Sequence, residues 1–318
     1  MILLVTGGCG FIASHFINYF FDTYPDVKII NLDAMYYCAN HENLFERVRK
    51  SDRYTFVKGR VQNFELVSHI LSTHNITHVI HFAAQSHVQN SFTDALQYTN
   101  DNIVGTHTLL EACRTHDPLE RFIHVSTDEV YGESPLNSSE KKTDESVMCP
   151  TNPYAATKAS AELIVMSYYH SFKMPIIITR GNNVFGPRQY DEKLIPRFIS
   201  LLRDNKPVTI QGDGSHVRSF LYVDDVVRAF DIILEKGKFG EIYNIGGEDT
   251  DERSVMYVAK LLIQKIIGTT DYESWIEYIE DRPFNDIRYY ICNKNLKSLG
   301  WRHIHTFEEG IDKILSSN

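Results

Sequence analysis

The sequence predicts an α/β fold, in which a doubly wound parallel sheet is followed by a smaller, mixed α/β unit. Short runs rich in β-branched residues alternate with longer stretches of helical apolar spacing, which is the pattern of βαβ units. A glycine-rich turn directly follows the first run and opens a helix. After Gly186 the alternation fades. We therefore predict a first domain over residues 1–187, to which some later segments return, and a second domain mainly over 188–318.

The alternation predicts each element in turn. Strands are expected over residues 2–6, 28–32, 54–57, 78–82, 122–125 and 175–179. Helical spacing predicts helices over residues 11–21, 65–73, 95–116 and 154–172. In the second domain we expect strands over 208–210 and 241–244, and helices over 194–203 and 224–235.

Composition and charge narrow the classes of function. Apolar residues make up 43% of the 318 residues and charged residues 23%, which is typical of an ordinary folded protein. Acidic residues outnumber basic ones, 41 against 32, which argues against nucleic acid as a partner. The five cysteines are scattered without a Cys-x-x-Cys pair, and the first apolar run breaks at Gly7. We therefore expect a cytoplasmic location and no membrane partner.

The glycine-rich turn predicts a dinucleotide site of Rossmann type. It reads Gly7-Gly8-Cys9-Gly10-Phe11-Ile12-Ala13. Gly7 and Gly10 allow a tight turn and a close approach of pyrophosphate to the amino end of the helix. Asp33 ends the second predicted strand, where a carboxylate accepts ribose hydroxyls and repels a 2′-phosphate, so NAD is favoured over NADP. The alternatives are a turn that merely joins strand to helix, and a turn role for Asp33.

Two adjacent carboxyls lie just past the fifth predicted strand, in Thr127-Asp128-Glu129. The carboxyl ends of parallel strands face the ligand crevice of such a sheet. Because successive strand residues point to opposite faces, both carboxyls reach one substrate only if the chain turns there. Gly132 and Pro135 permit such a turn.

A tyrosine and a lysine form a second candidate pair. Tyr154 and Lys158 are four residues apart on a predicted helix, so their side chains share one face. A neighbouring ammonium lowers the pKa of a phenol, which makes Tyr154 a candidate base for a hydroxyl proton. The alternative is an ordinary helix start that happens to carry these two residues.

The combined motifs resemble a known family. Gly7-x-x-Gly10-x-x-Ala13 and Tyr154-x-x-x-Lys158 resemble the extended short-chain dehydrogenase/reductase superfamily. The segment Thr127-Asp128-Glu129-Val130-Tyr131-Gly132 resembles the signature of its nucleotide-sugar 4,6-dehydratases. Further segments similar to that family follow in matching order, at residues 83–88, 180–187, 192–196 and 281–286. The resemblance spans essentially the whole chain and is nearest to the UDP-glucose and then the dTDP-glucose 4,6-dehydratases.

The resemblance implies an internal redox reaction on a nucleoside-diphosphate hexose. Tyr154 would take the proton of the 4-hydroxyl as hydride passes from C4 to NAD, and Lys158 would hold the phenolate and the nicotinamide ribose. Glu129 would then remove the C5 proton while protonated Asp128 gives a proton to the departing 6-hydroxyl. Thr127 would hydrogen-bond the 4-oxygen. Return of hydride to C6 and of a proton to C5 would leave a 4-keto-6-deoxy sugar and the starting cofactor.

The resemblance also implies the binding residues. Cofactor contacts are expected at Gly7, Gly10, Phe11, Ile12, Asp33, Ala83, Ala84, Tyr154, Lys158 and Asn183. Substrate contacts are expected at Ser86, His87, Thr127, Asn182, Glu192, Lys193, Arg218, Arg282 and Asn285, and Arg188 is a further candidate cation for the diphosphate. For the arginines the alternative is solvated charge or an ion pair, and for the asparagines a strand-end turn. By analogy we expect a homodimer, for which the helices predicted over 95–116 and 154–172 are the candidate pairing surface; the alternative is that their apolar faces are buried within the chain.

Several features depart from the family or suggest other chemistry. Where the family usually carries an acidic residue that meets the adenine amino group, this chain has Arg60, which cannot accept that hydrogen bond. The adenine is then expected either to stack on the guanidinium or to be held by the backbone. We interpret Cys9 as a small apolar filler, and we expect no metal at the histidines His78, His81 and His87.

Three other functions remain open from the sequence. One is dehydration of an N-acetylated sugar such as UDP-N-acetylglucosamine, with or without inversion at C5. Another is an NAD-dependent 4-epimerase, which needs no carboxyl pair. The third is a nucleotide-binding sensor that keeps the fold without catalysis.

Overall fold

Seven parallel strands form the larger sheet of the molecule. The computed structural model describes residues 1–280 and 284–317. Its strands are β1 (Ile2–Thr6), β2 (Lys28–Asp33), β3 (Tyr54–Lys58), β4 (His78–His81), β5 (Arg121–Thr127), β6 (Ile176–Gly181), β7 (Asn183–Phe185), β8 (Val208–Gln211), β9 (Val217–Tyr222), β10 (Ile242–Ile245), β11 (Glu252–Ser254) and β12 (Ile276–Ile279). The large sheet has the order β10-β6-β5-β4-β1-β2-β3, and its neighbouring strands all run parallel.

Helices pack on both faces of this sheet. The helices are α1 (Phe11–Thr23), α2 (Glu46–Arg49), α3 (Phe64–His74), α4 (Val88–Thr93), α5 (Ala95–Tyr98), α6 (Gly105–Arg114), α7 (Pro153–Phe172), α8 (Leu194–Arg203), α9 (Val223–Lys236), α10 (Val255–Ile266), α11 (Lys294–Ser298) and α12 (Phe307–Ser316). Helices α1 and α9 cover one face, and α3, α6 and α7 cover the other. The predicted doubly wound α/β fold is confirmed.

The sequence of β1 shows why the sheet is buried on both faces. Leu3 and Val5 pack into the apolar cluster beneath α1 and α9, whereas Leu4 packs into the cluster beneath α3, α6 and α7. Successive strand residues point to opposite faces, so a strand covered twice must be apolar throughout. That requirement produces the continuous apolar runs of the sequence.

The helix predicted over residues 95–116 is interrupted. A π-helical turn, Thr99–Val104, joins α5 to α6. The wider turn leaves two consecutive polar residues, Asp101 and Asn102, buried. Asn102 accepts a hydrogen bond from the backbone N–H of Gln85 at 2.8 Å and donates to the Gln85 carbonyl at 3.0 Å. Apolar periodicity carries no signal for such a turn, which here fixes the loop after β4.

Two small sheets complete the fold. Strands β11, β9 and β7 form one, and β12 pairs with β8 in the other. Strand β10 lies beyond residue 187, yet it pairs with β6 in the large sheet. The domain limits at 187 and 188 remain a prediction. No helix among the residues described is long and apolar enough to cross a membrane.

A buried ion pair joins α7 to β6, and we expect its loss to destabilise the fold. Arg180 donates to Glu162 from Nε and Nη2, at 3.0 and 2.6 Å, and both side chains are almost fully buried. Glu162→Gln keeps the shape but leaves the guanidinium charge unpaired, so the free energy of unfolding should fall by about 3 kcal/mol. Urea denaturation measures this change. Glu46→Gln, which breaks the exposed pair with Lys50, should leave the midpoint unchanged; equal losses would contradict the prediction.

Candidate active site

A cleft of about 340 Å³ opens where the large sheet's central strands end. The loops after β1, β4, β5 and β6 meet there, because the carboxyl ends of parallel strands share one edge. The cleft is lined by these predicted residues: Gly7, Gly10, Phe11, Ile12, Asp33, Ala83, Ala84, Ser86, Thr127, Asp128, Glu129, Tyr154, Lys158, Asn182, Asn183, Glu192 and Lys193.

The glycine loop is built for close backbone approach. Gly7 has a φ of +72°, and a Cβ there would lie 2.8 Å from the backbone of Ala83. The Gly10 N–H donates to the Gly7 carbonyl at 3.0 Å, which closes the turn. Gly10 is the N-cap of α1 and provides no side-chain cap. Backbone N–H groups at the start of α1 therefore face the cleft without a capping oxygen, as an anion site requires.

Asp33 joins the ends of β1 and β2. Its carboxylate accepts hydrogen bonds from the backbone N–H groups of Cys9 at 2.9 Å and Met35 at 2.7 Å. Burial raises the pKa of Asp33, and these two bonds oppose the shift. Each carboxylate oxygen has a second lone pair, so a role in the turn and a ribose contact are compatible.

The chain turns sharply after Thr127, which places both neighbouring carboxyls at the cleft. Strand β5 ends at Thr127, and a 3₁₀ turn covers Asp128–Tyr131. The Thr127 hydroxyl caps this turn by accepting a hydrogen bond from the Glu129 N–H at 3.3 Å. Gly132 ends the turn with a φ of +72°. The turn that the sequence only permitted is therefore present.

Asp128 lies in surroundings that favour its neutral form. Asn182 donates to its Oδ2 at 2.5 Å, and Thr127 donates to its Oδ1 at 3.2 Å. Burial and the charge of Glu129 raise the pKa of Asp128 to about 7, although these hydrogen bonds and Arg218 oppose the shift. Two crowded carboxyls separate their pKa values, so one of the pair holds a proton near neutral pH.

Glu129 also has partners that stabilise its charge. Asn152 donates to its Oε2 at 3.0 Å, whereas the Tyr289 hydroxyl, 3.4 Å from the same oxygen, gives its one proton to Asp286 at 2.6 Å. Burial raises the pKa of Glu129, while the Asn152 bond and the charge of Arg218 lower it. We assign the shared negative charge to Glu129 and the proton to Asp128, because Glu129 is partly open to the cleft and Asp128 is only 3% exposed.

The electrostatics of Tyr154 differ from the prediction. Burial raises the pKa of its phenol, and the charges of Glu129 and Asp128 raise it further, although a hydrogen bond with the Thr127 hydroxyl opposes them. The Lys158 ammonium donates instead to the Val125 carbonyl at 2.7 Å. Burial lowers the pKa of Lys158 to about 8. The expected lowering of the phenol pKa by Lys158 is wrong for this structure, because desolvation outweighs one cation that is itself buried.

The predicted substrate residues divide into two groups. Ser86, Asn182, Glu192 and Lys193 line the cleft, and the Lys193 ammonium donates to the Ser86 carbonyl at 3.0 Å. The other described candidates, His87, Arg188, Arg218 and Asn285, lie outside the cleft lining. His87 Nδ1 lies 3.5 Å from the Glu192 carboxylate. Arg218 donates to Asn285 Oδ1 at 3.0 Å and lies over the ring of Tyr289. Arg188 donates to the Asn43 carbonyl at 2.9 Å, and Arg282 lies outside the described residues.

The other reactive side chains have packing roles. Cys9 is fully buried, and burial raises the pKa of its thiol to about 12, so a thiolate is strongly disfavoured. The His81 ring lies between the hydroxyls of Thr6 and Thr106, at 2.7 and 3.0 Å. No group of three or more His, Cys, Asp or Glu in the part of the chain that the structure describes could hold a metal ion.

Comparison with known proteins identifies the family of the chain. The family model for GDP-mannose 4,6 dehydratase matches residues 4–314. The chain belongs to this family. An Arabidopsis thaliana member, a trifunctional UDP-glucose 4,6-dehydratase/UDP-4-keto-6-deoxy-D-glucose 3,5-epimerase/UDP-4-keto-L-rhamnose-reductase, is 50% identical over 313 residues, which are 98% of this chain and 46% of that protein. The chain therefore spans about half the length of the first curated relatives it matches.

Two further relatives are similar over most of their own length. The human dTDP-D-glucose 4,6-dehydratase is 48% identical over 318 residues, covering 98% of this chain and 88% of that protein. A crystal structure of the Streptomyces venezuelae dTDP-glucose 4,6-dehydratase with NAD bound is 36% identical, with a TM-score of 0.92 and coverage of 99% of this chain and 96% of that one. The family's fold is thus shared along the whole chain.

Sequence reasoning missed Asn152, which holds Glu129, and Tyr289, which lies beside it. Asn152 is the N-cap of α7, with Pro153 in the first turn, and its Oδ1 accepts from the Ala155 N–H at 2.9 Å. The Asn-Pro pair at a helix start is the signal that identifies it as a cap. Tyr289 donates to Asp286 at 2.6 Å. Nothing local in the sequence connects residue 289 with residue 129.

Proposed function

We propose that this protein catalyses the NAD-dependent 4,6-dehydration of a nucleoside-diphosphate hexose to a 4-keto-6-deoxy sugar, in deoxysugar biosynthesis of the rhamnose type. One observation carries the proposal: Asp128, Glu129 and Tyr154 line the same cleft as the glycine loop. Tyr154 alone would provide the base for oxidation at C4, but not for the loss of water. The carboxyl pair adds the base and the acid that elimination of water requires.

The residues of the cleft fit NAD. Gly7 and Gly10 leave room for a pyrophosphate at the start of α1, and Asp33 lies where the ribose hydroxyls need an acceptor. Ala83, Ala84, Lys158 and Asn183 line the cleft beyond the glycine loop, toward the carboxyl pair. When bound, NAD supplies a positively charged ring that accepts hydride from C4 and returns it to C6.

The protein's own groups move three protons. The raised pKa keeps the phenol of Tyr154 protonated; its ionised form, favoured beside the positive ring of bound NAD, would take the proton of the 4-hydroxyl. Thr127, whose hydroxyl bonds that phenol, would hold the 4-oxygen. Glu129 then removes the C5 proton, which the new ketone has made acidic. Asp128 gives its proton to the departing 6-hydroxyl, and water leaves; a proton then returns to C5 as hydride returns to C6. The Lys158 ammonium, which donates to the Val125 carbonyl, provides a positive charge at the cleft, and Asn182 holds Asp128 in place by a hydrogen bond.

We propose UDP-glucose as the substrate, with dTDP-glucose as the alternative. The relatives named for these two compounds are 50% and 48% identical to this chain. The similarity therefore supports a nucleoside-diphosphate glucose as the substrate class more strongly than it supports either nucleobase. Lys193 at the cleft and Arg218 beside it are the described cations that suit the diphosphate. Glu192 and Ser86 line the same part of the cleft.

Incubation with UDP-glucose, dTDP-glucose and UDP-N-acetylglucosamine tests the proposal. Mass spectrometry should show a product lighter by one water from UDP-glucose or dTDP-glucose. Dehydration of only the N-acetylated sugar would support that alternative substrate, and nuclear magnetic resonance of its product would show whether C5 is inverted. An epimer of unchanged mass, formed equally well by Asp128→Asn and Glu129→Gln, would identify a 4-epimerase. Failure to dehydrate any of the three would refute the proposed function.

Dehydration is expected to slow as pH rises through about 7. The pKa of Asp128 is raised to about 7, so its acid form is present below that pH and is lost above it. The rate at saturating substrate, measured from pH 5 to 9, should show this fall. Asp128→Asn cannot lose a proton there, so its residual rate should lack the same limb. An identical limb in this variant would assign the titration to another group.

We further propose a cytoplasmic homodimer. Leu163 and Phe172 on α7 are 63% and 51% exposed, and Val104 on the neighbouring π-turn is 45% exposed. Exposed apolar side chains favour burial against another surface, and the same helices of a second copy of this chain would provide one. Light scattering of wild type and Leu163→Glu tests this: the variant should be monomeric.

A further inference from the structure

The cleft has an end that the proposed reaction does not use. It continues past Asp33 along the end of β3, where Tyr36, Arg60 and Gln62 line it. Strand β3 pairs directly with β2, with Lys58 opposite Asp33. If NAD places a ribose on Asp33, as the proposed function requires, then its adenine lies in this end of the cleft.

Arg60 cannot accept a hydrogen bond from the adenine amino group. It is an exposed side chain whose guanidinium carbon lies 5.4 Å from the centre of the Tyr36 ring. A guanidinium has only donors, and so has an amino group, so the two repel rather than pair. An acceptor for that group must come from elsewhere in this part of the cleft.

Asp101 also lines this end of the cleft, but it is largely buried and its carboxylate is occupied by three glutamine side chains. It receives hydrogen bonds from the amide nitrogens of Gln62 at 2.5 Å, Gln97 at 2.6 Å and Gln85 at 2.8 Å. It lies on the π-turn and is only 6% exposed. A carboxylate accepts and never donates, so it forces each of these amides to present nitrogen to it.

This constraint determines which polar atom of the Gln62 amide remains available to a ligand. The amide nitrogen of Gln62 donates to Asp101 and also to the Asn100 carbonyl, at 3.3 Å, so both of its hydrogens have acceptors. The remaining polar atom is Oε1, which has acceptor lone pairs and no proton. Gln62 itself lines the cleft.

We infer that Gln62 Oε1 accepts the hydrogen bond of the adenine amino group, and that Asp101 is the positioning residue that prevents the amide from flipping. The acceptor thus lies two residues beyond Arg60. Arg60 packs against Tyr36 at the rim and does not set the choice of base. A base with a carbonyl in place of the amino group would meet Oε1 with two acceptors facing each other, which is unfavourable.

Competition between NAD and nicotinamide hypoxanthine dinucleotide tests this inference, because the second compound carries that carbonyl. Displacement of labelled NAD, measured by equilibrium dialysis, gives the affinity ratio without any turnover. Wild type should prefer NAD about tenfold, as expected for one hydrogen bond. Gln62→Leu should abolish the preference by weakening NAD, while its retained affinity for the hypoxanthine compound shows that it is folded. Arg60→Ala, the matched control, should keep the ratio.

The variants separate the possible outcomes. Asp101→Asn can donate as well as accept, so it lets the Gln62 amide flip and should bring the ratio toward one. An unchanged ratio in Gln62→Leu, or a ratio lost in Arg60→Ala, would overturn the assignment of Gln62. An unchanged ratio in Asp101→Asn would overturn the role of Asp101. A wild type that binds neither dinucleotide would instead overturn the proposed NAD-dependent function, and this inference with it.

Discussion

Replacing Glu129 with glutamine is expected to slow the elimination of water about 10²–10⁴-fold, the usual contribution of a general base. The amide keeps the size of the side chain and can still meet Asn152, but it cannot take the C5 proton. Oxidation at C4 does not use this carboxylate and should continue. In a single turnover the absorbance of reduced nicotinamide should therefore appear and persist, while the dehydrated product does not form.

Glu140→Gln is the matched control for this variant. Glu140 is exposed and lies outside the cleft lining, so its replacement should leave both steps at the wild-type rate. If Glu129→Gln dehydrates the substrate as fast as Glu140→Gln does, another group is the base. The whole assignment of the carboxyl pair would then fail.

Tyr154→Phe is expected to slow the reaction by a similar factor of about 10²–10⁴, but at an earlier step. The ring remains packed against Tyr98, and only the hydroxyl that bonds Thr127 is lost. Without that oxygen the 4-hydroxyl proton has no acceptor, so hydride transfer and elimination should both stop. Neither reduced nicotinamide nor the dehydrated product should accumulate in a single turnover.

A tyrosine on the same helix provides the comparison. Tyr169 lies on α7 away from the cleft lining, and Tyr169→Phe should oxidise and dehydrate the substrate normally. Rapid appearance of reduced nicotinamide in Tyr154→Phe would show that another group takes the 4-hydroxyl proton. Since Glu129→Gln stops after oxidation and Tyr154→Phe before it, the two variants together separate the steps.

The adenine end of the cleft shows how much of the site local sequence patterns can predict. The sequence reveals that Arg60 stands where the family resemblance implies an acceptor, because that conclusion needs only the resemblance and the chemistry of guanidinium. It does not reveal Gln62 as the replacement. That assignment depends on Asp101, which is 39 residues away along the chain and is turned inward by a π-turn that periodicity does not encode.

The sequence by itself determined the fold class, the glycine loop with Asp33, and the presence of a carboxyl pair at a strand end. These features follow from patterns between neighbours, where turn geometry and two-face burial leave few choices of residue. Only the tertiary structure decided the protonation of that pair, the raised pKa of Tyr154, and the position of Arg218 outside the cleft lining. Charge in a buried site depends on desolvation and on partners from distant segments, such as Asn182 for Asp128, and no local pattern records them.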